Sequence, residues 1–170
     1  ITTKWDGAPA VFCGTYPGTD KFFVGTKSVF NVNAKINFTE EDVDANHGNS
    51  PGLAVKLKDC LNYLPELGIQ GIAQGDLLFT DDKIAKRING TNCIIFQPNT
   101  ITYCIPEEDE LYSKASKAKV GVVFHTSYSG KQIENMNASF GYDVSKLNDS
   151  KNVLVLSAET GQLGKDVLLT

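Results

Sequence analysis

The hydrophobic pattern opens on two β-prone runs, residues 8–14 and 21–27, around a polar stretch that contains Pro17-Gly18. Pro followed by Gly suits a type II turn, so the pair predicts a hairpin. Residues 31–49 are polar and weakly patterned and predict a loop with a short helix over 39–44. The period then changes. Leu53, Leu57, Cys60, Leu61 and Leu64 fall on one helical face, with Ser50 as N-cap, Pro51 at the first helical position and Gly68 past the end. Strands return at 71–79, 92–97 and 100–105, the last two joined by a Pro98-Asn99 turn. Pro106 opens a charged helix over 107–117, with acids in its first turn and lysines in its last, as the helix dipole favours. Apolar strands follow at 120–125 and 153–156. Strands outnumber helices and are joined mostly by short turns. The fold expected is α+β, antiparallel sheets with flanking helices.

Length sharpens that picture. A chain of 170 residues holds one well-packed domain more comfortably than two, so a single domain over 1–170 is expected. The net charge of -4 argues against nucleic-acid binding by bulk charge, although it leaves room for a local basic patch. No run is long and apolar enough for a membrane span, and no membrane partner is expected. Cys13, Cys60, Cys93 and Cys104 lack C-x-x-C spacing and lie far from His47 and His125, so zinc-site spacing is missing. Free thiols in apolar strands point to a reducing compartment, hence a cytoplasmic protein.

Three places join a reactive or charged side chain to a strand end. The first is Lys4-Trp5-Asp6-Gly7, just before the first β run. The second is Gly75-Asp76-Leu77-Leu78-Phe79, a carboxylate within an apolar strand. A buried carboxylate is costly unless paired, hydrogen-bonded or bound to a metal, so Asp76 calls for a partner. In the third, 122–128, Phe124, His125, Thr126 and Tyr128 close an apolar strand.

Lys-x-Asp-Gly at Lys4–Gly7 resembles the signature of the covalent nucleotidyltransferases: ATP-dependent DNA ligases, RNA ligases and mRNA capping enzymes. Three downstream elements are similar too, and in the same order. Val24-Gly25-Thr26-Lys27-Ser28 resembles the family's basic strand-turn element, with Lys27 for the commoner Arg. Gly75-Asp76-Leu77-Leu78 resembles its Gly-Glu-hydrophobic strand, with Asp for Glu. Val122-Val123-Phe124-His125 resembles the strand whose aromatic stacks on the purine, with His125 where an acid is usual. The wording around these elements also resembles ligase-like proteins of tailed marine phages.

The resemblance implies an ATP-grasp-like ligase adenylation domain in which Lys4 attacks the α-phosphate of ATP and carries AMP as a phosphoramidate. Trp5, Asp6, Gly7, Lys27, Asp76 and Phe124 would bind the nucleotide, with Asp76 also a ligand of Mg²⁺. The acceptor would be a nucleic-acid 5′-phosphate, DNA or RNA, and a phage-encoded enzyme would work in the host cytoplasm. The family's later Glu-Gly and Lys-x-Lys elements do not occur before Thr170, and the chain begins at Ile1. The expectation is therefore a fragment of a longer protein. Two other readings stay open: a non-catalytic relative that binds nucleotide or builds a phage structure, and a metal-dependent hydrolase using Asp6, Asp76 and His125.

Overall fold

The computed structural model describes residues 10–98, 102–157 and 168–169. Lys4, Trp5, Asp6 and Gly7 lie outside the described residues, as does Asn99 of the expected Pro98-Asn99 turn. The first hairpin forms as its sequence dictates. Strands β1 (Ala10–Thr15) and β2 (Phe22–Gly25) pair antiparallel, with Thr15 opposite Phe22. Gly18 turns between them at φ 81°, the left-handed conformation that the third position of a type II turn demands.

The polar stretch after β2 yields α1 (Glu40–His47). Thr39 caps it by accepting from the Asp42 amide at 3.2 Å, while the Asp42 carboxylate accepts from the Thr39 amide at 3.2 Å. That reciprocal pair satisfies two of the N–H groups a helix start leaves open. The long helix α2 spans Pro51–Tyr63 and tightens into a 3-10 turn, Leu64–Leu67, before Gly68 closes it at φ 64°. Pro51 takes the first position as expected, but the Ser50 side chain makes no cap bond. Of the predicted stripe, Leu57, Cys60 and Leu64 are buried, joined by Ala54, and Leu53 and Leu61 are partly buried beside them.

The remaining elements are β3 (Ile72–Phe79), β4 (Ile84–Ile88), β5 (Thr91–Phe96), β6 (Thr102–Pro106), α3 (Tyr112–Lys117), β7 (Val120–Ser129), β8 (Asn137–Phe140), β9 (Val153–Ser157) and β10 (Leu168–Leu169). Three of them, β4, β8 and β10, lie outside the strands expected from sequence. Strand β4 is exposed along most of its length and shows no alternation; what defines it is the tight Asn89-Gly90 turn, with both residues at positive φ (49° and 82°). The charged helix expected over 107–117 contracts to Tyr112–Lys117. The Asp109 carboxylate instead accepts from the Leu111 amide at 2.8 Å, and an acid bonding its own backbone this way competes with the helix.

Two sheets result. The larger runs β2-β1-β3-β7-β8 with β9 also on β7; the smaller runs β10-β6-β5-β4. Strand β7 shares one edge between two partners: β9 pairs with Val120–Phe124 and β8 with Thr126–Ser129. The β7–β9 pair is parallel and the other named pairs are antiparallel, so the architecture is α+β with mostly antiparallel sheets. No described helix is long and apolar enough to cross a membrane.

The larger sheet buries both faces. Helices α1 and α2 cover one, over a core that includes Val11, Leu57, Ala73, Leu77, Val122, Phe124 and Val153. On the other face, Leu78, Leu154 and Leu156 meet Ile94, Phe96, Tyr103 and Ile105 of the smaller sheet. Farther along that face lies an aromatic group built from Phe12, Phe23, Ile72, Phe30 and Tyr128. Between these two apolar groups, the middle of the sheet carries polar side chains.

Candidate functional site

Register decides which residues share that polar middle. Residues directly opposite in an antiparallel pair point to the same face. Asp76 lies opposite Ala10 on one side and Val123 on the other, so its carboxylate projects on the face that meets the smaller sheet. His125, two residues beyond Val123, projects with it. Its Nε2 is 3.6 Å from Asp76 Oδ1, and its Nδ1 is 2.7 Å from the Thr126 hydroxyl. Both side chains keep solvent access, at 21% for Asp76 and 25% for His125, so the carboxylate expected to need a partner has one without being sealed in the core.

The strands come close here because Gly75 has no side chain. A Cβ at that position would sit 2.3 Å from the Val123 carbonyl oxygen, and the β3–β7 register shifts between Gln74 and Gly75. Strand alternation sets Gln74 on the same face as Asp76, and the Tyr128 hydroxyl donates to Gln74 Oε1 at 2.7 Å. From the smaller sheet, Tyr103 reaches the same ground. Burial first, and the negative charge of Asp76 second, push its phenol above the ordinary tyrosine range. A carboxylate, an imidazole, an amide and two phenols thus gather on the face of the larger sheet that meets the smaller one. Such a set can orient a polar ligand and offer a hard oxygen ligand to a cation. Among the described residues no cluster of three or more His, Cys, Asp or Glu is arranged to hold a metal.

The other expected site residues divide. Lys27 is exposed and begins a 3-10 turn, Lys27–Phe30, just after β2; the Thr26 hydroxyl caps that turn by accepting from the Ser28 amide at 3.3 Å. Strand β2 ends opposite Phe12, two residues from Ala10, so Lys27 leaves the sheet at the Asp76 end. Phe124 is a correction. It lies opposite Gly75 and so faces away from Asp76, fully buried beneath the α2 side with its ring 5.5 Å from that of Tyr142. A ring with no exposed surface offers a purine nothing to stack on. Tyr128 belongs to the polar strand end at 122–128 that the sequence marked; Gln74 and Tyr103 were not singled out, although Gln74 stands at the alternate position to Asp76 on a predicted strand. Tyr103 comes from a distant segment and carries no local signal.

No curated protein and no solved structure matches this chain. A family model matches it from end to end, residues 1–170, and the chain therefore belongs to DUF6267, a family of unknown function.

Proposed function

We propose that this chain is the nucleotide-binding part of an ATP-dependent polynucleotide ligase-like nucleotidyltransferase, with Lys4 the nucleophile. One observation carries the reading. Strand β1 begins opposite Asp76, and Lys4-Trp5-Asp6-Gly7 stands immediately upstream, with Lys4 six residues before Ala10. Six residues span about 20 Å when extended, so Asp76 lies within the reach of the chain that carries Lys4, which supports the reading.

In this scheme the neutral Lys4 amine attacks the α-phosphorus of ATP, a P–N bond forms, pyrophosphate leaves with the electrons of the broken P–O bond, and the nitrogen gives up one proton to solvent. A free lysine has a pKa near 10.4, so roughly one in a few thousand is neutral at pH 7, and a neighbouring cation raises that fraction. Asp76 holds the ribose or a bound cation, and Lys27 neutralises phosphate charge. The aromatic surface on this face comes from Tyr128 instead of Phe124. One carboxylate completed by substrate phosphates and water is a donor set that suits Mg²⁺, which when bound neutralises charge on the leaving pyrophosphate. The AMP then passes to the 5′-phosphate of a nucleic acid.

Incubation with α-labelled ATP and Mg²⁺ tests this. Label is expected on the protein, stable to base and released by acid, as a phosphoramidate is. Lys4→Ala should abolish it, and Lys4→Arg should fail as well, because a guanidinium stays protonated and has no lone pair to give. Nucleotide binding without labelling would instead assign the chain to a non-catalytic relative. Absence of both would make Lys4 an ordinary surface lysine.

A further inference from the structure

A second polar cavity lies away from the Asp76 face. Its volume is about 250 Å³, and it is lined by Asp59 and Tyr63 of α2, Thr80, Asp81 and Lys83 of the β3–β4 connection, and Lys119 at the start of β7. It holds two cations and two carboxylates, yet among the described residues no ion pair joins its lysines to its carboxylates. Lys56 and Asp82, at its edge, pair with each other at 2.9 Å instead.

Lys83 is held in place. Its amine donates to the Ala118 carbonyl at 2.5 Å and sits 5.3 Å from the centre of the Phe79 ring. We propose that this cavity takes a small anion bearing an aldehyde or keto group, with Lys83 forming an imine at the carbonyl carbon and Lys119 holding the negative charge.

The chemistry balances within the cavity. The Lys83 nitrogen adds to the carbonyl carbon, and a proton moves from nitrogen to the former carbonyl oxygen. Water then leaves as the C=N bond forms. A nucleophilic lysine must be neutral, and both burial and the nearby Lys119 charge lower the pKa of Lys83, burial being the larger cause. The departing hydroxyl needs a proton. Asp59 is suited to supply it, because burial, and then the Asp81 charge, hold its carboxyl protonated to higher pH than usual. Tyr63 and Thr80 remain as hydrogen-bonding groups for the rest of the ligand. This cavity involves neither Lys4 nor Asp76, so it stands or falls apart from the nucleotidyl-transfer reading.

The test is reductive trapping. The full chain is incubated with glyoxylate and cyanoborohydride near neutral pH, and every lysine is followed by peptide mass mapping. Lys83 is expected to acquire the carboxymethyl group faster than the exposed Lys21 and Lys131, because burial and the Lys119 charge lower its pKa and so raise its neutral fraction. Acetaldehyde, which lacks the anion, should modify Lys83 more slowly than glyoxylate does. Lys119→Met should slow the glyoxylate reaction and Lys119→Arg should preserve it, with thermal melts confirming that both fold. Lys4→Ala should leave Lys83 labelling unchanged. Lys83 reacting no faster than Lys21, equal rates with the two aldehydes, or indifference to Lys119→Met would each overturn the proposal.

Discussion

Strands β3 and β7 present two faces that differ by a single step of strand phase, and the two have opposite characters. On one, Leu77, Val122 and Phe124 disappear under α2. On the other, Asp76 and His125 stand 3.6 Å apart with access to solvent, flanked by the Gln74–Tyr128 hydrogen bond. The first face is closed by packing, and changes there should be felt in stability. The second is held open between two apolar groups, and changes there should be felt in binding. Neighbouring residues of one strand are thus assigned to different tasks by nothing more than alternation.

The largest expected effect tests the closed face. Phe124→Ala should cost about 3–5 kcal/mol of unfolding free energy, the usual range for removing a buried phenylalanine. Urea melts measure it. If Phe124→Ala left stability intact and weakened ATP binding, the assignment of the two faces would be reversed. Gly75→Ala strikes the seam between them. Its added Cβ would press on the Val123 carbonyl, whose oxygen lies 2.3 Å from the position the Cβ would take, so the strands must separate. A loss of about 1–3 kcal/mol is expected, as for overpacking elsewhere. Because that separation would also shift Asp76 against His125, under the proposed function the same variant should lose nucleotide affinity.

The smallest effect on stability belongs to the open face. Asp76→Asn keeps shape, and the side chain has solvent on one side, so its melting curve should shift by less than about 0.5 kcal/mol. Under the proposed function it should nevertheless reduce AMP labelling of Lys4. Asp76→Asn with full labelling would remove that carboxylate from the nucleotide site while leaving the two-face description intact.

Particular residues show why the sequence carried some of this and not the rest. Local chemistry was sufficient for the Pro17-Gly18 turn and for α2 from Pro51 onward. In each, one residue's backbone preference or a 3.6-residue period decides the outcome without help from distant parts of the chain. The pairing of Asp76 with an imidazole was partly legible, since both residues close or interrupt apolar strands. The direction of Phe124 was not. Val122, Val123 and Phe124 are apolar in succession because both faces of β7 are buried there, and a run without alternation has no readable phase.

By itself, then, the sequence determined the α+β class, the first hairpin, the long helix and the order of the motif residues, all properties of short stretches of chain. Tertiary structure decided the rest: that β9 pairs parallel to β7, that exposed β4 joins the smaller sheet, that Tyr103 approaches Asp76 from a second sheet, and that Phe124 belongs to the core. Each of these is a relation between segments far apart in the chain. Its free energy arises from register and burial, which exist only once the strands have met.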